Sequence, residues 1–376
     1  MTADVIVIGA GVVGTAIAYR LAAAGARVTL VDRGAPGRGT SASSFAWVNS
    51  NEKPPLVYHR LNAESVVAHR RLRDDVGGLG DAGAGPWLYE GGGLEWTDTA
   101  AGRDQLVAKV ERLRRWGYRV EVLDAPEVRA LEPQLRLDGL TAAAFCPDEA
   151  WVDAPAFAVG VSAAAAARGA VVRTGVAVIG LERSGDRVTG VHLASGERHT
   201  SACVVVAAGR WTDRVAALAG IEVPLTPTCG LLAVTSPVAR AVGRVVHAPG
   251  VHFRPDPGGG LVLQSGDTDA AVGPETVPNP GLPGCTELLR RVLRFLPSVA
   301  GARIAEVRVG IRPMPADGFS IVGPVAQRPG LYLAVTHSGV TLAPLLGELV
   351  AQEVTTGRDD ARLAAFRPAR CVRVRE

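Results

Sequence analysis

Lysine is nearly absent from this chain: only Lys53 and Lys109 stand among its 40 basic residues, so arginine carries almost all the positive charge. Chemistry that needs a lysine amine has just those two places to go. Cysteine is scarce as well. Cys146, Cys203, Cys229, Cys285 and Cys371 are odd in number, widely spaced and free of any CxxC pair. That argues against a disulfide framework or a cysteine metal centre and points to reduced thiols in a cytoplasmic protein. The seven histidines show no ligand-like spacing, so no metal site is expected. The longest small-apolar run, 156–167, is about a third short of a membrane span and reads as a buried helix. The opening MTADVIVIGAG has no basic start, separate apolar stretch or cleavage site, so no signal peptide is expected. A net charge of only +3, evenly spread, leaves no stripe for nucleic acid or an anionic membrane.

What is present is an ordinary globular balance, 47% hydrophobic and 20% charged over 376 residues, enough chain for more than one folding unit. The first 32 residues form a βαβ unit. A β-branched strand over 4–8 leads into a tight turn, a helix follows over 12–24 with Gly25 placed to end it, and 27–32 make a second strand. The turn, Gly9-Ala10-Gly11-Val12-Val13-Gly14, matches GxGxxG, and Asp32 lies eighteen positions beyond it. Gly9 permits the turn, Gly11 lets backbone approach a pyrophosphate, and Gly14 packs helix on strand. The helix N-terminus offers free N–H groups to phosphate, and Asp32, followed by Arg33, can accept from a ribose diol. Further helices are expected over 56–75, 103–116, 125–133, 156–167 and 341–355. Buried strands are expected at 202–208 and 330–336, with short strands broken by Pro and Gly from 224 onward.

Three more segments resemble the D-amino-acid oxidase superfamily, in its glycine oxidase, sarcosine oxidase and D-amino-acid dehydrogenase branch. The first is Gly39-Thr40-Ser41-Ala42-Ser43-Ser44-Phe45-Ala46-Trp47. The resemblance puts Thr40 and Ser41 at the phosphates and Phe45, Ala46 and Trp47 beside the flavin ring; a solvated Ser-rich loop is the plain alternative. The second is Ala207-Ala208-Gly209-Arg210-Trp211, a small-residue strand end near the ribityl chain, with Val176 upstream at the adenine. The third combines 308–318, which carries Arg312, with 337–344, which carries His337, Ser338, Gly339, Val340 and Thr341. In the family the arginine at the place of Arg312 binds the substrate carboxylate, which a guanidinium fork suits. The amides of 338–341 open a helix whose dipole faces the flavin N1–C2=O edge. His252 falls where relatives often place a substrate-contacting tyrosine, and His337 opens the flavin loop; core or loop packing is the plain reading of both. No histidine stands in 39–47 and no cysteine near Met314, where some relatives tether their flavin, so FAD should be non-covalent.

The resemblance implies an α/β fold: a Rossmann-like FAD-binding domain of the glutathione-reductase type over 1–79, 146–221 and 317–376. A discontinuous substrate domain on a mixed antiparallel β-sheet would take 80–145 and 222–316. It implies hydride transfer from the α-carbon of a small carboxylate-bearing amine to flavin N5, giving an imine that water hydrolyses. The partners implied are that substrate and O2 or another electron acceptor, with oligomeric state undetermined. Sarcosine-oxidase-like members activate O2 with a lysine above the flavin. This chain has none in its substrate-domain strands, only Lys53 in the 51–55 loop, so a dehydrogenase passing electrons to a quinone or carrier stays open. An NAD(P)-dependent reductase is disfavoured by the 207–211 and 337–341 segments, and a tRNA-modifying flavoprotein by the lack of a basic stripe.

Overall fold

Thr29 to Val31 lie beside Ile6 to Ile8 because the intervening helix returns the chain over the same face of one sheet. In the computed structural model, which describes residues 2–51, 53–77, 85–239 and 241–374, the chain starts β1 (Thr2–Ile8), α1 (Val12–Ala23), β2 (Val28–Val31), β3 (Trp47–Val48) and α2 (Leu56–Gly77). It leaves through β4 (Leu88–Glu90), β5 (Gly93–Thr97), α3 (Ala100–Arg115), β6 (Glu121–Leu123), α4 (Ala125–Leu131) and β7 (Ala142–Cys146). It returns with β8 (Ala150–Val152), α5 (Ala154–Ala167), β9 (Val171–Arg173), β10 (Val178–Ser184), β11 (Arg187–Leu193), β12 (Arg198–Val206), α6 (Thr212–Ala217) and β13 (Ile221–Glu222). A second excursion holds β14 (Leu225–Thr235), β15 (Val245–Ala248), β16 (Val251–Pro255), β17 (Leu261–Gln264), α7 (Gly266–Asp269), α8 (Pro283–Phe295) and β18 (Ile304–Pro315). The chain closes with β19 (Ile321–Pro324), β20 (Leu331–Val335), α9 (Gly339–Thr356) and β21 (Arg373–Val374). Residues 78–84 of the glycine-rich passage over 76–93, and with them the boundary expected at 79/80, lie outside the described residues.

Two large sheets result. In the first, β9, β2, β1, β12 and β20 run parallel, and β12 divides its far edge between β11 at 198–200 and β20 at 204–206. The second sheet, in the order β18-β14-β17-β16-β15-β5-β7-β6, is antiparallel apart from the β15/β5 pair. Its strands come from 93–146 and 225–315, whereas β4 pairs β8 in a small sheet with β3. The mixed α/β expectation is borne out. One apolar core lies between the parallel sheet and α1, α5 and α9; another lies under the second sheet, capped by α8. Cys285, Leu288, Val292 and Phe295 repeat at three- and four-residue spacing, the stripe that a helix needs to cover a sheet.

Two local features set where the site falls. Gly9, at φ +110°, has its Cβ position 2.4 Å from the Ala207 carbonyl oxygen, so the turn closes directly on the end of β12. A Cβ on Gly14 would sit 1.8 Å from the Gly9 oxygen, which is why α1 lies so close to its own strand. The second feature is α2. Read as a charged amphipathic helix, it buries a polar stripe instead: Ser65 Oγ donates to the Thr341 carbonyl at 2.7 Å, His69 Nε2 to the Val340 and Thr341 carbonyls at 3.0 and 3.1 Å, and Tyr58 Oη to Ser338 Oγ at 2.8 Å. These bonds clamp the first turn of α9.

The α1–α9 crossing is equally tight, since a Cβ on Gly347 would meet the Ala16 oxygen at 2.9 Å. Gly347→Val should therefore cost about 1–3 kcal/mol by overpacking, read as a lower urea midpoint with unchanged m.

Candidate active site

The expected residues converge on one cavity of about 920 Å³, of the size that holds a cofactor together with a small substrate. At one end Gly9, Gly11, Val12 and Val13 present the α1 N-terminus. Ser41 sits on it, its Oγ 3.4 Å from the Val12 N–H and 3.2 Å from where a Cβ on Gly11 would lie. Asp32 is held by two backbone amides, Ala10 to Oδ2 and Gly34 to Oδ1, both at 2.7 Å, which leaves lone pairs on each oxygen for a diol. Beside it the Trp211 ring is flanked by the guanidiniums of Arg33 and Arg210 at 4.0 and 3.9 Å, cations suited to an anionic ligand. Val176, Ala208 and Gly209 complete this end. The Val176 N–H is taken by the Asp32 carbonyl at 3.1 Å, so it has no amide to offer a ligand.

The loop over 39–47 runs along the middle. Thr40 reaches the wall, but its hydroxyl donates to the Ile311 carbonyl at 2.7 Å and ties the loop to β18. Ala46, the one non-glycine residue with positive φ among the described residues, takes φ +55° where the loop passes Phe45 and Trp47 on the wall. Such strain persists only where the surroundings impose it. Here the Phe45 carbonyl accepts from Arg254 Nε at 2.6 Å and the Ala46 carbonyl from the Val152 N–H at 3.0 Å. Trp47 is fixed by its indole N–H to Glu149 Oε2 at 2.9 Å, and its carbonyl accepts the Thr341 hydroxyl at 3.2 Å. Past this loop, Gly339, Val340 and Thr341 offer the first-turn amides of α9, which lack intrahelical acceptors, whereas the N–H of Ser338 on the same wall is taken by Thr336 Oγ1 at 3.1 Å.

The far end carries the polar groups suited to a substrate. Arg312 lines it from β18; its Nη1 donates to the Cys229 carbonyl at 3.0 Å and its Nη2 to Asp269 Oδ2 at 2.5 Å. Three of its five N–H directions remain for a ligand. Lys53 and His337 lie on the same wall, and burial, then Lys53 and Arg312, push the His337 imidazole down to about 4. It is neutral at pH 7. His252 does not line the cavity; it sits behind the wall, its Nδ1 hydrogen-bonded at 2.9 Å to Nδ1 of His247, a residue without any pairing in the sequence pattern. Burial lowers the pKa of both rings. Gly14 is likewise off the wall, a packing residue as its geometry requires. Among the described residues no His, Cys, Asp and Glu cluster could hold a metal, and no helix is long and apolar enough to cross a membrane.

Three site residues escaped the sequence reading. Gln264 and Asp269 line the cavity beside Arg312, and Glu149 is fully buried behind Trp47. No motif marks them. Only the β14–β18 register and the β17–α7 connection carry Asp269 to Arg312, and Glu149 lies in the 147–149 turn, which reads as surface.

A cavity that joins a phosphate-seeking helix start to an arginine on a second sheet defines a two-sheet dinucleotide enzyme. The chain matches the family model "DAO: FAD dependent oxidoreductase" over residues 4–353, and it belongs to that family. It is 28% identical to a glycine oxidase of Geobacillus kaustophilus over 96% of each chain, and 30% identical to a glycine oxidase of Pseudomonas aeruginosa over 96% of each. It is 29% identical to a D-amino acid dehydrogenase of Methylobacterium nodulans over 94% of this chain and 95% of that one. The Geobacillus kaustophilus glycine oxidase structure superposes with a TM-score of 0.86 at 26% identity, covering 97% of this chain and 98% of that one. The protein is an FAD-dependent oxidoreductase, and the glycine cradle, anchored Asp32 and helix starts fit that cofactor.

Gly11→Val should abolish flavin content by filling the space between α1 and Ser41; a yellow variant would show the phosphate approach to lie elsewhere. Glu149 yields a pH prediction. Burial raises its carboxyl to about 8, opposed by the hydrogen bonds from Tyr118 and Trp47. Because the folded pKa lies above the unfolded one, the folded state holds the extra proton, and stability falls as pH rises through that window. Wild type should lose about 2–4 kcal/mol relative to Glu149→Gln between pH 5 and 8, measured by denaturant unfolding.

Proposed function

We propose that the enzyme oxidises the C–N bond of a small amino acid or carboxylate-bearing secondary amine to an imine. The observation that carries this reading is Arg312, whose guanidinium opens onto the same cavity as the α1 and α9 helix starts with three N–H directions unused. A bound FAD supplies the hydride acceptor. The chain's own residues then bind and orient. Arg312 takes the carboxylate, the Trp47 wall confines the substrate, and the first turn of α9 favours negative charge beside it. His337 is uncharged at neutral pH, so it adds no further cation beside the amine. No dedicated acid–base pair is needed once the substrate ammonium has released its proton to water, because the neutral amine then gives up hydride and the imine hydrolyses in water. The names of the relatives include both oxidases and a dehydrogenase, and Lys53 on the wall is the lysine a flavin would meet. The electron acceptor is O2 or a carrier.

Anaerobic flavin bleaching across glycine, sarcosine, D-amino acids and cyclic imino acids tests the reductive half-reaction; a flavin that none of them bleaches ends this reading. Reoxidation of the bleached enzyme by O2 within seconds indicates an oxidase, and persistence of the reduced form a dehydrogenase. Arg312→Ala should keep its flavin and lose about 2–4 kcal/mol of substrate affinity, seen as a raised KM.

A further inference from the structure

Arg312 does not meet the cavity alone. Asp269, the last residue of α7, has a side chain only 10% exposed and stands where a bound carboxylate would be expected. Its Oδ2 accepts from Arg312 Nη2 at 2.5 Å and from Gln264 Nε2 at 2.8 Å, and its Oδ1 accepts the Leu231 N–H at 2.8 Å. Arg312, Asp269 and Gln264 all line the cavity. The strand beneath them is bare at Gly230, where a Cβ would come within 2.4 Å of Nη2, so the pair lies flat against β14. Two consequences follow. A carboxylate offers about four lone-pair directions and three are filled, which leaves one on Oδ1. In addition, a carboxylate this close to the guanidinium repels any anion that approaches it, and so offsets much of the attraction of Arg312 for a simple anion. The Arg312–Asp269 pair presents a dipole rather than a net charge.

We propose that Asp269 is a substrate-binding residue that accepts a hydrogen bond from the substrate nitrogen, so that the Arg312–Asp269 pair selects molecules bearing both a carboxylate and an amine over plain carboxylates. This rests on the amino-acid reading of the cavity. A dipolar ligand matches the dipolar pair, its carboxylate on the remaining N–H groups of Arg312 and its N–H on the open lone pair of Asp269. The same contact would fix the nitrogen relative to the carbon that gives up hydride.

The alternative is that Asp269 merely holds Arg312 in place, and ligand selectivity separates the two. The FAD-loaded enzyme is titrated, by flavin absorbance, with 2-methylalanine, which lacks an α-hydrogen and cannot be oxidised, and with isobutyrate, the same skeleton without nitrogen. Wild type should prefer 2-methylalanine by about 10- to 100-fold, the worth of a hydrogen bond to a charged group. Asp269→Ala should erase that preference, weakening 2-methylalanine while isobutyrate binds as well or better. A parallel weakening of both ligands in the variant would assign Asp269 a holding role and overturn the proposal. Wild type itself gives a second reading that needs no variant: binding both ligands alike, or neither, also overturns it. Should the amino acids bleach the flavin while this preference is missing, C–N oxidation stands and the role of Asp269 falls. Should the preference appear with no bleaching, the reaction assignment fails instead.

Discussion

The course of residues 39–47 is the constraint on which the cavity depends. This segment is gripped on one side by the antiparallel sheet and on the other by the small sheet of β3, β8 and β4. Thr40 bonds to the Ile311 carbonyl of β18, and a Cβ on Gly310 would meet Ser43 Oγ at 2.3 Å. From the antiparallel sheet the buried guanidinium of Arg254 reaches the Phe45 carbonyl and lies 4.6 Å from the Trp151 ring, with burial drawing its pKa down to about 10. From the other side the Val152 amide and Glu149 hold Ala46 and Trp47. A loop held at so many points can keep one residue at positive φ and still present a defined wall to a cofactor.

The electrostatics follow from the same burial. Desolvation outweighs hydrogen bonding at His69, whose imidazole is brought to about 4 while donating to two carbonyls at the start of α9, and burial brings His337 to the same value. The cavity thus takes its charge from arginine, lysine and aspartate. Arg33 and Arg210 stand beside Trp211 at the end formed by the α1 N-terminus, and Arg312 with Asp269 at the other. The two ends differ in kind: cations packed on an indole suit a phosphate, whereas a guanidinium compensated by a carboxylate is suited to a dipolar molecule.

Much of this was legible beforehand. The βαβ start, the helix over 154–167 and the buried strands at 198–206 and 331–335 agree with the sequence periodicity to within a few residues. Glycine spacing located the phosphate end because each of those glycines answers a steric demand only a few residues away. The stretch beyond 357, expected only as part of the FAD-binding domain, shows no periodic pattern in the sequence; it forms two short 3-10 turns and β21, which pairs β13. Its stability comes from that distant partner and from the ion pair of Arg367 with Glu353, neither of which leaves a local pattern.

Local sequence determined the nucleotide half of this protein, since strand, glycine turn, helix and acid are contiguous and their geometry is fixed by short-range sterics. Only the tertiary structure decided the substrate half. The pairing of Thr228 with Arg312 across β14 and β18 sets the guanidinium beside Cys229 and Asp269. The turn over 147–149 drives Glu149 into the interior behind Trp47. Such contacts join residues more than 40 or 100 positions apart, and their energy comes from burial and register, which no run of neighbouring residues encodes.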